Sequence, residues 1–167
     1  MFSTMDEFFA LWQPETDKTR KVFDALTDES LGQQVTSDHR TLGRLAWHLT
    51  TTFDEMMGSA GLELNAVKKD APMPDSASAI SEGYRKSSQA IVEAMREQWT
   101  DRTLTEERDL YGRVWKVKDI LYLLVAHQIH HRGQMTVLMR QAGLKVPGVY
   151  GPSKEDWSVM GTKPPEI

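Results

Sequence analysis

The stretch His127-Gln-Ile-His-His131-Arg-Gly-Gln134 lies inside the longest predicted helix, which extends from about Val117 to Ala142. Residues four apart on an α-helix lie one above the other, about 5.4 Å along the axis, so the imidazoles of His127 and His131 can meet at one point. This is the spacing of a metal-ligand pair. The run from Ile120 to Ala126 is apolar all round, which predicts a helix that is buried on several sides.

Two nitrogens from one helix supply half of a tetrahedral site, so a further ligand must come from elsewhere in the chain. The chain has five histidines and no cysteine. His39 lies in the polar segment 36–41 and is predicted to be solvated. His48 shares the apolar stripe of a second helix, one turn beyond Leu45. The stripe consists of Leu42, Leu45, Leu49, Phe53 and Met56. We therefore predict a three-histidine metal site of His48, His127 and His131.

The other helices follow from periodicity and caps. The first is predicted over residues 5–26, behind a capping box at Thr4-Met-Asp-Glu7, with a kink or restart at Pro14. The second is predicted over 42–57, and the third from a cap at Asp75 or Ser76 to about residue 99. Residues 61–75 are predicted to form a loop, and residues 101–114 are predicted to be irregular, with a turn at Tyr111-Gly112. Gly143 is predicted to be a left-handed helix cap. These four helices predict an all-α, four-helix bundle.

Size and composition narrow the functional classes. A chain of 167 residues fits a single domain spanning 1–167. The lack of cysteine excludes a disulfide scaffold, an iron–sulfur cluster and a cysteine nucleophile. No apolar run reaches the about 20 residues of a membrane span, and the N-terminus lacks the basic start of a signal peptide, so we predict a cytoplasmic protein without a membrane partner. A net charge of −4 argues against binding to nucleic acid.

Several residues near the histidines have two interpretations each. Gln134 lies on the metal face of its helix and could hydrogen-bond a ligand or a bound molecule, or could be a polar residue at the helix edge. Glu55 lies two turns beyond His48 and could act as a catalytic base or be a solvated carboxylate. His130 points away from the pair, which favours a supporting or interface role. Arg132 is predicted to form a surface or interface ion pair rather than to contact substrate.

Three aromatic residues, Trp47, Trp115 and Tyr122, are predicted to pack in the protein rather than to contact substrate. The helix motif also excludes one class of enzyme. Gln128 stands where a zinc protease of the His-Glu-x-x-His type carries its base, so that chemistry is not expected.

The motifs together resemble the DinB/YfiT-like family of four-helix metalloproteins. The resemblance rests on Thr41-Leu-Gly-Arg-Leu-Ala-Trp-His48, on Trp115 before the last helix, on the His-x-x-x-His pair with its Arg-Gly-Gln, and on Gly143 with Val146-Pro-Gly-Val-Tyr-Gly-Pro152 behind it. It implies a bundle whose connections are not all short. It also implies relatives that pair as homodimers, for which Phe9, Leu11 and Met139 are candidate contacts.

Three neutral histidines leave a divalent ion with at least one open position, which is a catalytic type of coordination. Zinc and nickel suit the ligands best, and iron or manganese remain open. A bound ion favours either hydrolysis by water or attack by a thiolate. The resemblance favours the second, because DinB-like proteins include transferases and isomerases that use thiols such as bacillithiol or mycothiol. The alternatives are a metal-dependent hydrolase, and a non-catalytic metal-binding or stress-response interaction protein.

Overall fold

The computed structural model describes residues 2–166 as a helical bundle. Its main helices are α1 (Met5–Asp24), α2 (Leu42–Thr52), α3 (Ala77–Gln98) and α4 (Val117–Gln141), and a short α5 (Lys154–Val159) follows in the tail. These bounds confirm the four predicted helices to within two residues, except that α2 ends early. Its continuation, Phe53–Met57, is a π-helical turn with wider hydrogen bonding.

Local sequence explains where the helices begin and end. The side chain of Thr4 accepts from the backbone N–H of Glu7 and completes the predicted capping box of α1. Ser76, rather than Asp75, caps α3. Gly143 has φ +75°, which confirms the left-handed end of α4. The helix restart considered at Pro14 is wrong, because α1 is one continuous helix that contains this residue.

The bundle does not follow a simple up-and-down order. Helices α1 and α2 each pack mainly against α3 and α4. Helix α1 therefore lies diagonally opposite α2, and α3 lies diagonally opposite α4. The core fills the centre with large side chains such as Trp12, Phe53 and Tyr84, all nearly inaccessible to solvent. Consequently α2, which carries His48, lies beside α4, which carries the histidine pair.

A β-hairpin occupies part of the segment that was predicted to be irregular. Strands β1 (Glu107–Leu110) and β2 (Arg113–Lys116) pair antiparallel and pack on α4. The predicted turn at Tyr111-Gly112 is confirmed, and both of its residues have positive φ, 57° and 75°, as a two-residue hairpin turn requires. Leu110 is buried at the end of β1 and fastens the hairpin to the bundle.

Two predictions about apolar side chains are corrected by the fold. Tyr122 is 52% exposed, because it lies on the outer face of α4, so it is not a packing residue. Met139 is fully buried and offers no surface to a second copy, whereas Leu11 is 40% exposed. Trp47 is buried as predicted, and its indole N–H donates to the carbonyl of Ala71 at 2.8 Å.

Within residues 2–166, none of the helices combines the length and the apolar character that a transmembrane span needs.

Candidate metal centre

The helix packing determines where the three predicted ligands lie. The side chain of Thr41 caps α2 by accepting from the backbone N–H of Arg44 at 3.1 Å. Buried Leu45 and Leu49 then turn one face of α2 toward the core, and His48 lies at the edge of that face. From there its ring meets the rings presented by α4.

His48, His127 and His131 form one compact cluster. Each offers a ring nitrogen, and these three atoms lie within 4.8 Å of one another. The Nε2 atoms of His48 and His127 are 3.0 Å apart. The three ring centroids are separated by 4.4 to 4.9 Å. Thus α2 and α4 bring together the three histidines that the sequence predicts, at a spacing close to that of ligands around one divalent ion.

The surroundings of the cluster keep its imidazoles neutral. Burial lowers the pKa of His48 to about 4, and the positive charge of Arg40 adds to this effect. Burial also lowers the pKa of His127 to about 3, with a further contribution from the neighbouring His131. The pKa of His131 is lowered for the same first reason. At neutral pH all three rings therefore present lone pairs, as metal ligands must.

Gln134 fixes the orientation of one ring. Its Oε1 lies 2.7 Å from Nδ1 of His131, one helical turn away. An amide oxygen can only accept, so Nδ1 of His131 carries the proton and its Nε2 carries the lone pair. Supporting hydrogen bonds of this kind hold metal-binding histidines in the required tautomer.

The donor set fits a divalent cation. Three neutral imidazoles suit zinc, nickel, iron or manganese. Without a cation, the facing Nε2 atoms of His48 and His127 can share only one proton between them. The other ring nitrogen of His127, the buried Nδ1, has no hydrogen-bond partner within residues 2–166. A cation bound to both lone pairs would satisfy the facing nitrogens at once, and it would offset part of the cost of burying these polar rings.

Glu55 lies in the π-helical turn beyond His48. Its carboxylate accepts a hydrogen bond from the hydroxyl of Tyr111 at 2.9 Å, which links α2 to the tip of the hairpin. Burial, aided by the negative charge of Glu55, raises the pKa of Tyr111 to about 12, so the phenol keeps its proton. The catalytic role suggested for Glu55 remains a prediction.

The two remaining histidines lie outside the cluster. His39 is exposed in the loop before α2, as predicted, and its ring contacts Thr36 and Asp38. His130 is exposed on α4, and its ring packs against that of His131 with centroids 4.8 Å apart. It is a neighbour of the cluster rather than part of it.

Arg132 forms an ion pair, but inside the chain rather than at the predicted surface or interface. Its side chain is 1% exposed, and its Nη2 lies 2.6 Å from the carboxylate of Glu15 on α1. The guanidinium also donates to the hydroxyls of Thr19 and Tyr150. Arg132 follows His131 directly and points about 100° away from it, so this buried pair anchors α4 to α1 right beside the cluster.

Two separate pockets reach the cluster, and the sequence indicated neither of them. The loop pocket has a volume of about 480 Å³ and includes His131, Gln134 and Arg40 in its lining. The hairpin pocket has a volume of about 570 Å³ and includes His127 and Arg113. The only sequence signal for the hairpin pocket was the turn at Tyr111-Gly112, which forms part of its wall.

Comparison with known proteins agrees with the fold and with the resemblance of the motifs. The family model described as "DinB family" matches residues 1–166. The chain is 46% identical to an uncharacterised protein of Bacillus subtilis, YrdA, over the full length of both. A crystal structure of a DinB-like protein from Bacillus cereus matches 90% of this chain and 100% of that chain, with 49% identity and a TM-score of 0.86.

A second solved structure, the DinB-like protein YjoA of Bacillus subtilis, is 21% identical and shares the fold alone. It matches 86% of this chain and 96% of that chain with a TM-score of 0.67. The match of a family model over almost the whole length, together with a full-length relative, establishes the classification: this chain belongs to the DinB family.

Proposed function

We propose that His48, His127 and His131 hold one divalent ion, with zinc or nickel as first choices, and that the protein transfers a low-molecular-weight thiol to an electrophile. The observation that carries this proposal is the cluster of three neutral imidazoles within 4.8 Å, reached by two pockets. Three protein ligands leave a position open to a reactant, as in catalytic sites rather than closed structural ones.

When bound, such an ion would lower the pKa of a coordinated thiol or water and so supply a nucleophile near neutral pH. Two residues near the cluster would orient a ligand and set the charge around the ion. Gln134 orients the ring of His131, and the guanidinium of Arg40 makes the surroundings of all three rings more positive, which favours an anionic reactant.

The presence of two pockets favours thiol transfer over hydrolysis. A transfer reaction must hold two organic reactants beside the ion, and the loop and hairpin pockets each reach a different histidine, His131 and His127. Hydrolysis needs one organic substrate and a water molecule. In that alternative Glu55 would serve as the base, held in place by its hydrogen bond from Tyr111.

Removal of the metal tests the proposal. We expect the purified protein to contain about one divalent ion per chain, and to accelerate the reaction of a small thiol with 1-chloro-2,4-dinitrobenzene. In that reaction the thiolate sulfur bonds to the ring carbon and chloride leaves. Treatment with a chelator should reduce the rate to that of the uncatalysed reaction, and reloading with zinc or nickel should restore it.

The alternatives predict other outcomes of the same experiment. Thiol transfer that survives complete removal of the ion would contradict the proposal. Metal-dependent cleavage of 4-nitrophenyl acetate without thiol transfer would favour the hydrolase. If chelation lowers the melting temperature but neither reaction is accelerated, the ion is structural, since a ligand that binds only the folded state stabilises it.

We also propose that the protein is a homodimer that pairs through the outer face of α4. Tyr122 and Ile129 are seven residues apart on this face, and they are 52% and 39% exposed. Such a face gives a second copy an apolar surface. Sedimentation equilibrium should give twice the chain mass of 19.0 kDa, and Ile129→Glu should shift the mass toward that of one chain. A wild-type protein that sediments as a single chain at high concentration would contradict this.

A further inference from the structure

The hairpin pocket is the larger of the two pockets that reach the histidine cluster. Its lining comes from the π-helical turn, the hairpin and α4, through Met56, Leu110, Tyr111, Arg113, Trp115 and Ala126 among others, with His127 included. A volume of about 570 Å³ is within the range of pockets that bind small molecules. Its size therefore suits one small organic reactant beside the ion.

The walls of this pocket are mainly apolar, and they combine buried core side chains with the exposed Tyr111. Met56 and Leu110 are buried side chains of the core, and Trp115 packs against that core. Tyr111 is fixed at the tip of the hairpin by its hydrogen bond to Glu55. A mainly apolar pocket of about 570 Å³ with a few polar groups favours a molecule that has an apolar body of aromatic size.

Two backbone irregularities lie at this pocket. The π-helical turn Phe53–Met57 supplies Met56, and Tyr111 is the only non-glycine residue with positive φ within residues 2–166. Both conformations are rarer than their regular counterparts, and π-turns and left-handed residues are frequent at functional sites. Together they place one wall residue each, Met56 and Tyr111, on the lining of the same pocket.

The pocket also contains a cation without a partner. Arg113 is exposed at the start of β2, and its guanidinium forms no ion pair or hydrogen bond with any other described residue. The arginines that do form ion pairs in this chain, such as Arg85, Arg108 and Arg140, are held by neighbouring glutamates. The free guanidinium in an otherwise apolar pocket is suited to an acidic group on the bound molecule.

We propose that the hairpin pocket binds the electrophilic reactant, and that this reactant combines an apolar, aromatic-sized body with an acidic group that pairs with Arg113. This inference rests on the proposed function, since it takes the bound molecule to be the electrophile and assigns the thiol to the remaining loop pocket. The apolar body lies against Met56, Trp115 and Ala126. The acidic group lies at the mouth of the pocket, where Arg113 is exposed.

Binding of 8-anilinonaphthalene-1-sulfonate, a probe with an aromatic body and one sulfonate, tests the proposal by fluorescence on the full-length, zinc-loaded protein. Ala126→Phe fills the pocket and should weaken probe binding at least about tenfold. The matched control, Val137→Phe, adds the same ring on the same helix but in the loop pocket, and it should leave the dissociation constant unchanged. If Ala126→Phe has no effect, or if Val137→Phe has the larger one, the proposal is wrong.

The charge is tested separately. Arg113→Gln should weaken probe binding about tenfold, and Arg113→Lys should restore part of that loss. Arg102→Gln removes the same charge from an exposed site outside both pockets and should have no effect. Equal effects of Arg113→Gln and Arg102→Gln would mean that the net charge, rather than a contact in the pocket, controls binding.

The affinity for zinc, measured by competition with a chelating dye, separates this inference from the proposed function. Ala126→Phe should bind zinc as the wild type does, because residue 126 is not one of the proposed ligands. If no variant and no wild-type protein binds zinc, the proposed function fails while the probe still reports on the pocket. If zinc binds normally and the probe ignores Ala126→Phe, only the inference fails.

Discussion

Replacement of His127 by alanine is expected to abolish tight binding of the proposed ion and, with it, the proposed metal-dependent activity. His127 is the most buried of the three candidate ligands and the one whose Nε2 lies 3.0 Å from that of His48. Two remaining imidazoles, on different helices, would hold a divalent ion poorly. Loss of a hydrogen bond that supports a ligand lowers metal affinity about 10- to 100-fold. Loss of the ligand itself should lower the affinity for zinc by more than that.

A series of variants is expected to rank the cluster residues by their effect on zinc affinity. His48→Ala and His131→Ala should behave like His127→Ala, whereas Gln134→Leu should weaken zinc binding by about 10- to 100-fold, because the ring of His131 would lose its orienting acceptor. The matched control is His130→Ala, which removes an imidazole from the adjacent position on α4 and should leave the affinity unchanged. Zinc binding is measured by competition with a chelating dye. An unchanged affinity in His127→Ala would overturn the assignment of the site.

The second large effect is expected on stability. Arg132→Met should lower the free energy of unfolding by about 3 to 5 kcal/mol. It removes the buried cation of Glu15, whose carboxylate would keep only the partly exposed Lys18 as a charged partner. For a chain of this size the melting temperature should fall by about 6 to 20 °C. The control is Arg140→Met, which changes another arginine of α4. It breaks the partly exposed pair with Glu155 of α5 and should cost at most about 1 kcal/mol.

The double variant Glu15→Gln/Arg132→Met should be more stable than Arg132→Met alone, since it removes a buried carboxylate that has lost its buried cation. These measurements are made by thermal and urea unfolding of the metal-free protein, so that loss of the ion does not contribute. If Arg132→Met and Arg140→Met have equal effects, the buried pair does not stabilise the protein as proposed.

The pH dependence of unfolding provides a further check on the same pair. Burial alone would raise the pKa of Glu15, but hydrogen bonds from Lys18, Tyr150 and Arg132 outweigh it and lower the pKa below its ordinary value of 4.5. A carboxyl with a lowered pKa in the folded state stabilises the protein above its unfolded pKa, and this contribution is lost as the pH falls through the folded value. The stability of the wild type should therefore decline more steeply below pH 4.5 than that of Glu15→Gln.

The four helices could be predicted from the sequence because apolar spacing and caps are local signals. The hairpin could not be predicted in the same way. Its strands, Glu-Arg-Asp-Leu and Arg-Val-Trp-Lys, are rich in charge, and they are held by the burial of Leu110 and by packing on α4, which are tertiary contacts. Only its turn, Tyr111-Gly112, left a recognisable pattern.

The histidine cluster was predictable for a similar reason, since the spacing of His127 and His131 is local and His48 is the one histidine on the apolar face of another predicted helix. Arg132 shows the limit of this reasoning. A lone arginine is usually exposed, and its partners Glu15 and Tyr150 lie 117 residues before it and 18 residues after it. No pattern in the sequence links positions that far apart, so the buried pair became visible only in the folded chain.

The wide turn at Phe53–Met57 makes the end of α2 sensitive to changes in length. A π-helical turn holds one residue more than an α-helical turn, so deletion of a single residue there would let the helix close with regular hydrogen bonding. The residues beyond the turn would keep nearly the same facing, because the wider turn absorbs about one extra residue. Loss of that residue would therefore reshape the wall of the neighbouring cavity chiefly at the turn itself, where Met56 lies, while His48 stays in place.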